Sequence, residues 1–312
     1  MDVVNVDQSA MREAAQRAVA VAGGGVKGDG GLVLVIGGSR AYTAPPYLAG
    51  LAARRTGAHG VRIAAPPGPA AVHAALEAHL IETPGPELDA DAVRTVARLS
   101  ARIAERLTAD GARGRVVWLV GPGLGGSPQA GQVLDALVEA RRQDRAAALV
   151  VDGSLGGGSM ARRRVRALGA DMVLLNRHEA RVLLPRARPS GREDALDAAE
   201  LAELARELGA VVVAKGEVDR ITDGIRAWQV SAGHPGLARH GTGDVLAGVA
   251  AGLLAQKLPA PDAAALACHL VGTAGAELAV GTGPGWLSQD LLGAVAAALR
   301  DLLATTDEPR PI

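Results

Sequence analysis

Cysteine occurs once in the 312 residues, at Cys268. A disulfide framework and a thiolate metal cluster both need more thiols, so both are excluded, and a lone thiol fits a reducing compartment. Cys268 itself reads as a small core hydrophobe. Phenylalanine is absent and aromatic residues make up 2% of the chain, too few for a base-stacking platform that would hold single-stranded nucleic acid. Net charge is missing as well, with 33 Lys plus Arg against 33 Asp plus Glu. No global field draws the chain to nucleic acid, anionic lipid or an acidic partner, so a charged ligand has to be bound locally. No uninterrupted apolar run reaches the length of a membrane span, and the opening MDVVNVDQSAMREAAQ carries charges where a signal peptide needs an apolar core. The expectation is a soluble cytoplasmic protein. Lysine stands only at Lys27, Lys215 and Lys257, with arginine at every other basic position, a pattern of genomic base composition.

Motifs are missing too. The chain has no G-x-x-x-x-G-K-[ST] phosphate cradle, no H-E-x-x-H pair or regular His/Cys spacing for zinc, and no G-x-S-x-G nucleophile elbow.

What is present is an α/β rhythm. Apolar runs bounded by glycine alternate with long helical patterns, the signature of a largely parallel sheet. Strands are expected at Leu32 to Ile36, Val61 to Ala64, Val116 to Val120, Ala148 to Asp152, Met172 to Leu175 and Val211 to Ala214. Ala90 to Leu107 and Leu196 to Leu208 carry the clearest helical spacing. Beyond Lys215 the pattern changes to short strands about an Asp223-Gly224 turn, then three helices. With no internal repeat and no long linker, one domain is expected over 27–304. An N-terminal helix and Gly-rich connection over 1–26 precede it, and a flexible tail over 305–312 follows.

Ligands of parallel α/β sheets bind beyond the carboxyl ends of the strands, and four loops there are unusual. Gly37-Gly38-Ser39-Arg40 leads to Pro45 and Pro46, where glycine lets backbone approach a ligand and proline opens a helix. Gly121-Pro122-Gly123-Leu124-Gly125-Gly126 formally satisfies G-x-G-x-x-G with Asp152 ending the next strand. It is open both to a plain turn and to a dinucleotide site, although Pro122 removes a donor. In Asn176-Arg177-His178-Glu179, Asn176 reads as an N-cap with Glu179 as its capping-box partner. The other reading has Glu179 holding magnesium through water. The fourth loop, Gly233 to Asp244, ends in Gly241-Thr242-Gly243-Asp244 before an apolar helix. Its amides and the helix dipole make an anion site for a transferring phosphoryl group, and Asp244 is either a cap or the base for a hydroxyl nucleophile. Lys215-Gly216, at the end of a buried strand, adds a nucleotide contact or a solvated lysine.

Taken together, three sets of residues resemble the ADP-dependent NAD(P)H-hydrate dehydratases of the ribokinase-like superfamily. They are Lys27-Gly28-Asp29 followed by Val33 to Arg40, Tyr42-Thr43 and Pro46; Gly121 to Gly125; and Gly241 to Gly248, read G-T-G-D-V-L-A-G. The resemblance runs from Lys27 to the final helices. It implies a three-layer α/β/α sandwich that phosphorylates the ring hydroxyl of hydrated NADH or NADPH, with ADP or ATP as donor and Mg2+ as cofactor, and then loses phosphate. It further implies catalysis by Asp244 with Gly241, Thr242 and Gly243, substrate binding by Pro45, Gly123, His178 and Asp244, and nucleotide binding by Lys215, Gly216, Glu217, Val218, Asp219 and Gly243. The family's K-G-x-G-T segment reads Lys215-Gly216-Glu217-Val218-Asp219 here, and Asn176-x-x-Glu179 is similar to the magnesium motif of sugar and vitamin kinases of the same superfamily. No nucleic-acid or membrane partner is expected, and a homo-oligomer is left open. The epimerase often fused to this family has no room, so epimerisation falls to another chain or proceeds spontaneously. The alternatives are a small-molecule kinase of the same fold, an impaired nucleotide-binding protein and, on the single glycine motif, an NAD dehydrogenase.

Overall fold

Alternate residues of Leu32–Ile36 enter two different cores, Val33 and Val35 one and Leu34 and Ile36 the other. That is why the strand reads as an unbroken apolar run: helices cover both faces of the sheet. The computed structural model describes residues 3–66, 78–81, 87–125, 128–143, 145–153, 155–156, 158–184 and 197–304. Its strands are β1 (Val3–Asn5), β2 (Leu32–Ile36), β3 (Gly60–Ala64), β4 (His79–Ile81), β5 (Val116–Val120), β6 (Ala148–Asp152), β7 (Met172–Leu175), β8 (Val211–Ala214), β9 (Asp219–Thr222) and β10 (Ala227–Val230). They form one sheet in the order β1-β10-β9-β8-β7-β6-β5-β2-β3-β4. All neighbours are parallel except β9, which runs against β8 and β10.

The helices are α1 (Gln8–Ala22), α2 (Pro45–Arg55), α3 (Ala90–Ala109), α4 (Pro128–Gln143), α5 (Gly158–Leu168), α6 (Arg177–Leu183), α7 (Ala198–Leu208), α8 (Thr242–Ala255), α9 (Ala260–Thr282) and α10 (Leu291–Ala304). α1, α2, α8, α9 and α10 fill one core and α3 to α7 the other, giving the three layers. The expected strands and main helices stand within two residues of their expected bounds, and α2 opens at Pro45. Leu196, Gly126 and the 305–312 tail lie outside the described residues. Two short strands were not foreseen. β1 is exposed throughout and β4 largely so, and three residues at a sheet edge carry too little apolar alternation to be read.

α9 and the turn after it, Ala260–Gly285, are long and apolar enough by length and composition to cross a membrane. The helix is alanine- and glycine-rich, so its apolar character is spread over small residues. Ala263 to Cys268, Leu270, Val271, Gly272, Ala274 and Gly275 are buried within the fold.

α2 and α8 make the closest helix contact. A Cβ on Gly248 would fall 2.0 Å from Ala49 O, and one on Gly252 would fall 2.8 Å from Ala53 O. Backbone therefore touches backbone, which only glycine permits. Both helices start at the carboxyl edge of the sheet, and at their far ends Gln256 Nε2 donates to Thr56 O over 2.7 Å. This rigid pair sets Pro45 and Asp244 at the same edge.

Candidate active site

The loops after β2 and β5 are stitched together. Gly38 N–H donates to Pro122 O (2.8 Å) and Gly121 N–H to Ile36 O (3.1 Å). Gly123, at φ +67°, leaves no space for a side chain: a Cβ would lie 2.8 Å from Tyr42 O and 3.0 Å from Pro45 Cγ. Pro45 and Gly123, two expected substrate residues, thus meet.

After β7, Asn176 caps α6. Its Oδ1 accepts from Glu179 N–H (2.9 Å), while Glu179 Oε2 accepts from Asn176 N–H (2.7 Å). The capping box is complete. The other carboxylate oxygen of Glu179 faces the loop after β6, where a Cβ on Gly153 would lie 3.4 Å from Oε1. His178 is exposed in the same helical turn.

α8 opens differently. Its N-cap is Gly241 at φ +91°, with no side-chain cap. The first helical bond runs from Val245 N–H to Gly241 O, so the amides of Thr242, Gly243 and Asp244 have no intrahelical acceptor and point outward with the positive end of the dipole. Thr242 Oγ1 lies 2.8 Å from Leu237 O and 3.0 Å from Arg239 O, spending its single proton on the loop. Arg239 holds that loop from the other side. Its guanidinium lies 3.8 Å from the Trp286 ring centroid, and it donates to Gly236 O (2.6 Å) and to Trp286 O.

Lys215 Nζ reaches into the space between these loops, 3.0 Å from Asp152 Oδ1 at the end of β6. It also lies 3.2 Å from where a Cβ on Gly243 would stand. Burial works against the charge on Lys215, but Asp152, Glu179 and Asp244 outweigh it and hold the ammonium above its ordinary range. Burial pushes the Asp244 carboxyl up to about 7, with Asp152 and Glu179 adding to the rise and Lys215 opposing it. Three carboxylates sharing one ammonium leave an excess of negative charge.

Among the expected nucleotide residues, Lys215, Gly216, Glu217 and Val218 line a groove of about 180 Å3. Asp219 turns inward instead. Its Oδ1 accepts from Gly216 N–H (2.9 Å), and burial raises its pKa, so it shapes the turn. Its carboxylate also bonds the Cys268 thiol, whose pKa burial drives well up. Sequence reasoning missed three residues here. Asp152 appeared there only as the residue ending the strand after the glycine motif, whereas it pairs with Lys215. Arg177 and Arg220 also line the groove; Arg177 stands inside Asn176-x-x-Glu179 at a position that motif leaves unspecified, and Arg220 stands in no motif.

This mostly parallel three-layer fold is shared by a ribokinase-like superfamily protein of Enterococcus faecalis, with a TM-score of 0.71 at 20% identity, covering 96% of this chain and 96% of that one. A Bacillus subtilis ADP/ATP-dependent NAD(P)H-hydrate dehydratase, co-crystallised with ATP/Mg2+, shares the fold with a TM-score of 0.67 at 18% identity, covering 97% of this chain and 100% of that one. The chain belongs to the NAD(P)H-hydrate dehydratase family, whose model matches residues 33–296. It is 33% identical to a bifunctional NAD(P)H-hydrate repair enzyme of Pyrobaculum aerophilum over 88% of this chain and 51% of that protein. It is 31% identical to an ADP-dependent (S)-NAD(P)H-hydrate dehydratase of Natrialba magadii over 87% of this chain and 93% of that one. The chain thus spans about half the length of the bifunctional relatives it matches.

Proposed function

We propose that the chain restores NADH or NADPH from its hydrate by nucleotide-dependent dehydration. Asp244 takes the proton of the ring hydroxyl, and the freed oxygen attacks the terminal phosphorus of ADP or ATP. The donor's bridging P–O bond breaks, releasing AMP or ADP. The ring C–O bond then breaks with the ring nitrogen's lone pair in assistance, phosphate leaves, and a proton lost from the adjacent carbon completes the double bond. The observation that carries this reading is Asp244 itself: free of capping, half-buried, and with its pKa raised to about 7 beside three outward amides. Those amides and Lys215 meet the charge of the transferring phosphoryl group. Pro45, Gly123 and His178 border the hydrate, and Lys215 to Val218 with Gly243 border the nucleotide.

The excess of carboxylate suits a hard cation. Among the described residues no cluster of three ligating side chains could cage a metal by itself, which fits Mg2+, an ion that keeps waters and takes one or two carboxylates plus substrate phosphates. Glu179 would hold it, through water, from within its capping box. The ion would neutralise phosphate charge during transfer. A reducing, cytoplasmic setting accords with the single buried thiol.

The test is incubation of the purified protein with NADH hydrate, Mg2+ and either ADP or ATP, following the return of reduced-nicotinamide absorbance. Recovery that needs nucleotide and fails in Asp244→Asn is the expected result. Consumption of nucleotide with a stable phosphorylated product would instead mark a kinase, the reading that Asn176-x-x-Glu179 favours.

A further inference from the structure

β2 has a second end. Where Leu32 begins the strand, about 13 Å of backbone from Ile36, lies a cavity of about 540 Å3 that the catalytic loops do not line. This is within the range of small-molecule sites. Leu32, Val61, Ile103 and Leu107 give it an apolar floor, while Lys27, Arg54, Arg62 and Arg106 set four basic side chains around it. His59 and His79 join them, and the one carboxylate among its described lining residues, Asp110, stands 3.5 Å from Arg106. This concentration of positive charge contrasts with a chain of zero net charge.

Two of the lining side chains carry donors. Arg62 Nε is buried and, among the described residues, has no hydrogen-bond partner, a state that costs free energy. His59 Nδ1 accepts from Gly28 N–H over 3.1 Å, leaving Nε2 as its donor. Lys27-Gly28, the part of the sequence resemblance that no catalytic role absorbs, lies at this end of the sheet and lines the cavity.

We propose that this cavity is a second ligand site for a phosphate-bearing organic anion of nucleotide size, with the guanidinium groups taking the phosphate and the apolar floor the planar ring. It is separate from the catalytic nucleotide site and is tested by binding, so failure of the dehydratase reading would leave it intact.

The experiment is equilibrium dialysis of the full chain with labelled ADP and, separately, labelled pyrophosphate. It compares wild type with Lys27→Ala and Arg62→Met, with near-UV circular dichroism to confirm folding. Lys27 is exposed in a loop, so Lys27→Ala keeps the test usable if Arg62→Met does not fold. Two classes of ADP are expected, the second weakened at least fivefold by either variant while the first and the turnover are unchanged. A pyrophosphate class lost in the variants, with ADP confined to one class, would overturn the proposal, because the cavity would then take a bare phosphate and no ring-bearing ligand. The absence of any second class, or a second class indifferent to both variants, overturns the proposal.

Discussion

Glu179 and Asp244 hold matching positions, each in the first turn of a helix that opens on the same cleft, yet the fold uses them differently. Glu179 closes a capping box with Asn176 and so serves its helix first. Asp244 caps nothing. Gly241 takes the N-cap with its backbone alone, and the carboxyl is left half-buried among Asp152, Glu179 and Lys215 with a pKa of about 7. An acid released from capping and desolvated is poised to exchange a proton near neutral pH, whereas one bonded to backbone is anchored. The comparison teaches that the cap, and not the residue type, decides which first-turn acid is free for chemistry.

The sharpest test of that contrast is Asp244→Asn, expected to lower turnover by about 10^2- to 10^4-fold in the hydrate assay. Folding should survive. Because the folded pKa of Asp244 lies above its unfolded value of 3.8, the folded chain keeps a proton that the unfolded chain loses. This group's contribution to stability is therefore full below about 4 and lost as pH rises to about 7. Asp244→Asn removes that loss, so denaturant unfolding at pH 8 should show the variant more stable by up to about 4 kcal/mol, with the difference shrinking toward pH 4. For the wild type, kcat/KM should climb about tenfold per pH unit below about 7 and level off above it.

Lys215→Met comes next. It strands Asp152, which is 12% exposed in its pair with Lys215, and should cost about 3 kcal/mol in urea unfolding. Lys215 opposes the rise of the Asp244 pKa, so its removal should also move the pH limb of kcat/KM upward. An unmoved limb would separate Lys215 from Asp244. Glu179→Gln keeps a capping-box acceptor but removes the charge. The Mg2+ concentration for half-maximal activity should rise about tenfold, roughly 1.4 kcal/mol, at nearly constant stability. If Mg2+ dependence is unchanged, Glu179 is a cap and nothing more. The smallest effect belongs to Asn176→Ala, about 1 kcal/mol of stability from the lost cap, with turnover little altered.

The six main strands and the helical layers were legible because buried parallel strands and amphipathic helices write their period into the residues they bury. The capping box at Asn176 and Glu179 was equally legible, since it joins groups three residues apart. β1 and β4 were not, because a short exposed edge has no period to read. Asp152 was visible only as the last residue of a strand. Its partner Lys215 is 63 positions away, and no local pattern links them.

The sequence by itself therefore determined what depends on neighbours along the chain: the strands, the helices, the glycine loops and the family resemblance. The tertiary structure decided which groups share a dielectric environment. It set Asp244 beside Asp152, Glu179 and Lys215, turned Asp219 inward to its own loop, and gathered Lys27 with Arg62 and His59 at the opposite edge of the sheet. Burial and charge proximity act through space, and only the folded chain brings those side chains within reach of one another.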